Sequence, residues 1–323
     1  MCTCISYLSK DHYFGRNLDL EYSYNEAIVI TPRGYCFNFK YTQTQDVHYA
    51  IIGVATVVDG YPLYYDAANE HGVCAAGLNF PGNAKYLDII EGADNIAPFE
   101  FIPWVLSQSK SLSQAIALIK SVRLVDTPFS KEFPNTPLHW MISDCTGSIV
   151  VEPMNDGIKI YENPVGILTN NPPFDFHLNN LCQYMNLSRE EAVNRMSDAV
   201  NLAPFSRGMG AFGLPGDLTS ASRFIRAAFT KLNSVDDGSE NEAVNQCFHI
   251  LRSVEQQRGC VRVGGGFEKT VYSSCCNANR GIYYYSTYSN SQIHAIKLNS
   301  ADLSSGQLTI YPFVWECNIK YEN

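Results

Sequence analysis

Charge is scarce in these 323 residues: Asp, Glu, Lys and Arg together make up 17% of the chain, against 46% for the apolar types. So apolar a composition excludes a disordered chain and supplies a large core. The 32 acidic residues outnumber the 23 basic ones for a net charge of −9, and no Lys/Arg cluster is long enough to track a phosphate backbone. Nucleic acid is excluded as a partner on that balance. No uninterrupted apolar run reaches the ~18–20 residues of a membrane span, and the first residues lack a basic stretch followed by an apolar one. A cytoplasmic protein without a membrane span is expected. Internal repeats and linkers are missing too, so residues 1–323 are expected to form one domain. The glycine-rich stretch 206–216 lacks the G-x-x-x-x-G-K-[ST] spacing of a phosphate-binding loop, and no nucleotide is placed there.

Cysteine, by contrast, is plentiful. The 11 residues are odd in number and scattered, which is not a secreted disulfide framework, and they are expected to be mostly buried thiols. Neither Cys2-Thr3-Cys4 nor Cys275-Cys276 has C-x₂-C spacing or paired histidines nearby, so no metal is expected.

Cys2 stands apart because it follows the initiator directly. A small second residue lets a methionine aminopeptidase remove Met1, and Cys2 then carries both a thiol and a free α-amine. The amine's reference pKa of about 7.7–8.0, against about 10.4 for lysine, leaves it partly unprotonated near neutral pH. Nucleophile and base are then one covalent unit, the N-terminal counterpart of a Cys–His pair. The bland alternative is a small apolar residue at position 2. Ile5 to Leu8 reads as a strand, Ser9 to Asp11 as a turn and His12 to Gly15 as the returning strand, which brings Arg16 and Asp19 back beside the terminus. There they are either a guanidinium favouring thiolate and a carboxylate holding the amine, or an ordinary surface ion pair.

Further along, Ala27 to Thr31, Tyr49 to Val58 and Val73 to Phe80 read as strands, the second apolar enough to be buried on both faces. Apolar residues recur at three- and four-residue intervals within Pro98 to Leu124, giving two helices broken at Ser111 to Ser113. Strands return at Leu138 to Ser143, Ile149 to Glu152, Ile158 to Tyr161 and Val165 to Leu168, followed by the Asn170-Asn171-Pro172-Pro173 loop. Residues 174 to 202 read as helix and loop. Ser220 to Lys231, capped by Ser, and Glu240 to Gln257 are helices, and strands at Thr270 to Cys275, Gly281 to Tyr288 and Gln292 to Leu298 close the chain. The fold class is α+β.

Five stretches in this order and spacing resemble the choloylglycine hydrolases: Met1-Cys2-Thr3, Tyr13 to Asp19, Ala76 to Phe80, Leu168 to Pro172 and Ser222-Arg223-Phe224. The resemblance spans essentially the whole chain. It implies a four-layer αββα sandwich with two antiparallel sheets, the N-terminal nucleophile hydrolase fold. It also implies thiol attack by Cys2 on the amide of glycine- or taurine-conjugated bile salts of the glycocholate and taurocholate type, through a thioester and without a cofactor. Arg16 and Arg223 would supply positive field around the thiol, Asp19 would take hydrogen bonds from the α-amine, and Asn79 and Asn170 would hold the oxyanion. Cys2, Arg16 and Asn79 would also touch substrate. Asn79 matters because the similar penicillin V acylases tend to carry Tyr there, and Ser206-Arg207 leans toward glycine conjugates. A homotetramer is implied as well. Another amidase on the same scaffold, a non-catalytic bile-acid carrier and a zinc-stabilised structural protein are the competing readings.

Overall fold

The computed structural model describes residues 1–323. Its first two strands, β1 (Cys2–Leu8) and β2 (His12–Leu20), form one hairpin with Cys2 opposite Leu18, Cys4 opposite Arg16 and Leu8 opposite His12. Both run longer than expected because nearly every residue is covered on both faces, which removes the alternation that marks a strand in sequence. The next strands, β3 (Ala27–Thr31), β4 (Ile51–Val58), β5 (Tyr61–Asn69) and β6 (Cys74–Asn79), form an antiparallel meander. Gly53 is required inside it: a Cβ there would lie 2.2 Å from the Asp66 carbonyl oxygen.

A short strand β7 (Asp94–Ile96) precedes α1 (Phe101–Gln108) and α2 (Leu112–Ser121), the expected helix pair, with Ser111 capping α2 by accepting from Gln114 N–H. After β8 (Val122–Leu124), which pairs in parallel with β7, come β9 (Leu138–Asp144), β10 (Gly147–Met154), β11 (Gly157–Glu162) and the two-residue β12 (Ile167–Leu168). β12 is shorter than the expected Val165 to Leu168 because Gly166 turns at φ 65° and its N–H goes to Asn163 Oδ1. Within 174 to 202 the regular part is α3 (Phe174–Leu181) and a single 3₁₀ turn at Cys182–Tyr184.

Then α4 (Ser220–Leu232) is capped by Thr219 rather than by Ser220, Thr219 Oγ1 accepting from Ser222 N–H. α5 (Glu240–Arg252) stops five residues short of Gln257, since Gln256 exchanges hydrogen bonds with Thr270 instead of continuing the helix. The chain closes with β13 (Val261–Val263), β14 (Gly266–Asn277), β15 (Ile282–Thr287), β16 (Asn290–Lys297) and β17 (Thr309–Pro312). β7, β13 and β17 are too short to carry a pattern in sequence.

Two antiparallel sheets result. One has the order β12-β1-β2-β14-β15-β16, with β13 on β14, and the other β11-β10-β9-β6-β5-β4-β3-β17. α4 and α5 bury Phe224, Ile225, Cys247 and Leu251 against the first, in a core that continues between the sheets. α1 and α2 bury Phe101, Trp104, Val105 and Ile119 against the second, over Ala55, Ala75 and Trp140. The layers are helix, sheet, sheet, helix: the αββα sandwich implied by the resemblance. All eleven cysteines are free thiols; Cys2, Cys4, Cys74, Cys247, Cys275 and Cys276 are buried, and the other five are exposed.

Candidate active site

Cys2 opens β1 between β12 and β2, and its side chain is buried. Because Cys4 pairs with Leu168, the loop following β12 passes beside the chain terminus. Cys2 N–H donates to Asn170 Oδ1 at 2.8 Å. Asn170 is itself clamped: its N–H donates to Ser220 Oγ at 2.8 Å, and its carbonyl oxygen accepts from His177 Nε2 at 2.9 Å. His177 stacks on Phe224 of α4, and burial holds its ring nitrogens neutral by lowering its pKa to about 4. One residue earlier, the Thr169 carbonyl meets His139 Nε2 at 3.0 Å, and His139 Nδ1 meets Glu152 Oε1 at 3.2 Å.

Arg223 reaches the same oxygen. From the first turn of α4, its Nη2 donates to Asn170 Oδ1 at 2.8 Å, its Nη1 to the Cys2 carbonyl and Thr3 Oγ1, and its Nε to the Leu218 carbonyl. A cation in a first turn opposes the helix dipole. Here it is fully buried and spent on the chain terminus, which offsets that small penalty. Burial lowers its pKa, and Asp19 and Cys2 work against that by favouring the charged form.

Arg16 comes from β2, on the face turned to the second sheet, and donates Nη1 to the Tyr65 and Gly77 carbonyls at 2.9 Å each. It is fully buried, and its Nε and Nη2 have no partner in the chain. Burial disfavours its charge, yet the acids around it, Cys2 first and then Tyr272 and Asp66, raise its pKa overall. Arg16 and Asp19 are therefore not a surface ion pair. Both are fully buried, and they share no hydrogen bond.

Asp19 Oδ1 accepts from Thr270 Oγ1 at 2.6 Å, and Oδ2 has no partner. Burial pushes its carboxyl up, and Arg223 and the N-terminal ammonium pull it back. With Met1 in place, the Cys2 nitrogen is a peptide N–H that goes to Asn170, not to Asp19. The Met1 ammonium contacts the Asp19 carbonyl oxygen at 2.9 Å and pairs with the buried Glu268 carboxylate.

Asn79 ends β6, half-buried. Its carbonyl accepts from Asn170 Nδ2 at 2.7 Å, while its own side-chain amide makes no hydrogen bond in the chain. Cys2, Arg16, Asp19, Asn79, Asn170 and Arg223 are thus brought together from four elements and one loop. His177, Ser220, Thr270 and Glu268 join them without having been singled out in sequence. Ser220 reads locally as a helix cap, and nothing about Glu268 or Thr270 within a strand signals contact with the terminus. Ser206 and Arg207 lie exposed in the glycine-rich segment, where Ser206 Oγ donates to the Arg207 carbonyl.

Comparison with known proteins places these features in context. The family model described as linear amide C–N hydrolases, choloylglycine hydrolase family, matches residues 2–311. The chain is 52% identical to a bile salt hydrolase/transferase of Lactiplantibacillus plantarum over 97% of both chains. It is 40% identical to one from Clostridium perfringens over the full length of both. Among solved structures, a variant of the conjugated bile acid hydrolase of Clostridium perfringens superposes with a TM-score of 0.92 at 38% identity, covering all of both chains. A penicillin V acylase from Agrobacterium tumefaciens shares the fold, with a TM-score of 0.76 at 19% identity over 96% of this chain and 90% of that one.

Proposed function

This chain belongs to the choloylglycine hydrolase family of linear amide C–N hydrolases, and from that premise we propose that it hydrolyses the amide bond of glycine- and taurine-conjugated bile salts, releasing free bile acid and the amino acid. The observation that carries the chemistry is the convergence of Asn170 and Arg223 on Cys2, with Arg16 of the neighbouring strand on the face turned to the second sheet. Once Met1 is removed, the nitrogen now held by Asn170 Oδ1 becomes an amine beside its own thiol. The amine accepts the thiol proton, the thiolate attacks the amide carbonyl, and the protonated amine passes its proton to the leaving nitrogen. Water then hydrolyses the thioester.

Arg16 and Arg223 favour the thiolate from two sides. The uncommitted amide of Asn79 and the second N–H of Asn170 Nδ2 are the donors available to a tetrahedral oxyanion. Asp19, whose Oδ2 has no partner in the chain, supplies the carboxylate that orients the new amine. Asn79 in place of Tyr favours bile salts over penicillin V, and the exposed Ser206-Arg207 pair favours glycine conjugates.

Residues 1–323 act as one domain in the cytoplasm, and no helix is long and apolar enough to cross a membrane. A homotetramer is part of the proposal, and the exposed apolar side chains between α3 and α4, including Met185, Met196, Phe205 and Phe212, are surface available to such contacts. Sedimentation of the purified protein tests that assembly. The activity is tested by initial rates of amine release from glycocholate, taurocholate and penicillin V, with Cys2→Ala as control. Fast cleavage of the bile salts and a dead variant are expected. Preference for penicillin V would overturn the substrate, and tight binding without turnover would make the protein a carrier.

A further inference from the structure

Arg16 lacks the partner a buried guanidinium ordinarily has. Its Nη1 is satisfied by two backbone carbonyls, but no carboxylate hydrogen-bonds to it, and Nε and Nη2 are bare. A buried charge without a countercharge is costly. The acids acting on it are Cys2 and Cys4 of β1, Tyr272 of β14 and Asp66 of β5, with Cys74 of β6, Cys276 of β14 and Tyr283 of β15 near Asp66 or Cys4. Burial pushes the Cys4, Cys74 and Cys276 thiols and the Tyr272 and Tyr283 phenols up, so all five are neutral at neutral pH. Asp19 lies on the helix side of the sheet, where Arg223 is the stronger charge upon it.

Asp66 is left. Its carboxylate is fully enclosed between the sheets and receives three hydroxyls: Tyr272 OH at 2.5 Å on Oδ1, and Ser274 Oγ at 3.2 Å with Tyr283 OH on Oδ2. Burial pushes this carboxyl up, and Arg16 first, then the three hydroxyls, pull it back toward the charged form. The residue before it, Tyr65, supplies one of the carbonyls that hold Arg16 Nη1. β5 therefore fixes the guanidinium in place and opposes its charge from the same two residues.

We propose that Asp66 is a positioning residue for the reaction: as the buried countercharge of Arg16, it limits the positive field that Arg16 directs at the Cys2 thiol. The inference rests on the reading of Cys2 as nucleophile. Without Asp66, the thiolate would be held more tightly by Arg16, forming at lower pH but attacking less readily, since nucleophilicity falls with basicity.

The test is Asp66→Asn, which keeps shape and removes charge. The rate of Cys2 alkylation by iodoacetamide is followed across pH by peptide mass mapping, alongside glycine release from glycocholate. The midpoint of the alkylation profile is expected to move toward acid by about one pH unit, with the plateau rate about threefold lower. Turnover is expected to fall about threefold. Should that variant fail to fold, Tyr283→Phe removes one donor and narrows the range over which Asp66 is charged, giving a smaller shift in the same direction. A profile that superposes on wild type, whatever happens to turnover, overturns the proposal and leaves the nucleophile reading intact. Wild-type protein that keeps its activity after complete Cys2 alkylation overturns both.

Discussion

Cys2 N–H and Arg223 Nη2 share a single acceptor, Asn170 Oδ1, each at 2.8 Å. One side-chain amide thus ties the chain terminus to the start of α4, and its own nitrogen ties both to Asn79. Asn170→Ala removes all three links. A loss of about 10²–10³ in kcat is expected, the size typical for a transition-state donor, with KM changing less. Steady-state release of glycine from glycocholate measures it.

Arg223 has a second duty as the cation facing Asp19, both of them fully buried. Arg223→Met removes the strongest positive charge acting on that buried carboxyl and takes a donor from four acceptors. A destabilisation of about 3–5 kcal/mol is expected. Urea unfolding of the variant, set beside Arg223→Lys, separates lost charge from lost geometry.

Two histidines make the fold acid-sensitive. Burial lowers His12, which meets Ser6 Oγ and Ser143 Oγ at 3.0 Å, and His177 to about 4 each. The unfolded chain protonates both near pH 6.5, whereas the folded one does not until about 4, so the unfolded state binds more protons in between. Their contribution is complete above pH 6.5 and is lost as pH falls toward 4, up to about 3 kcal/mol for each histidine. Asp19 and Asp66, pushed up by burial, act with the opposite sign, so the comparison must be made by difference. His12→Gln is expected to flatten the dependence of unfolding free energy on pH between 4.5 and 6.5 by roughly half.

Gly53 of β4 lies opposite Ala67 of β5. Alanine there would put Cβ 2.2 Å from the Asp66 carbonyl and 2.5 Å from Ala67 Cβ, and backbone cannot yield as a side chain does. Gly53→Ala is expected to cost roughly 1–3 kcal/mol and to displace Asp66. Thermal unfolding together with the alkylation profile of Cys2 checks both parts.

The hairpin at the terminus, the helix pair behind Ser111 and the strands from Leu138 onward were legible because their signals are local: a turn, a cap, a change of period. The site was legible in part for the same reason, since Cys2, Arg16 and Asp19 lie on one hairpin. Asn170 and Arg223 carry no such local mark. A loop asparagine reads as a turn former and a first-turn arginine as a misfit, and only the resemblance gave them roles. Glu268, Thr270 and Asp66 stayed hidden because each acts across a sheet that must first be assembled. The stop of α5 at Arg252 has the same cause, Gln256 being claimed by Thr270 of a strand fourteen residues away.

The buried terminus also decides how the protein can be handled. Met1 ends against Glu268 and Asp19, with its carbonyl receiving Asp19 N–H. A purification tag, a surface anchor or a fusion partner joined ahead of Cys2 would consume the amine. At the opposite end Tyr321, Glu322 and Asn323 lie in solvent. Any attachment, whether to a resin, a particle or a second enzyme, belongs there.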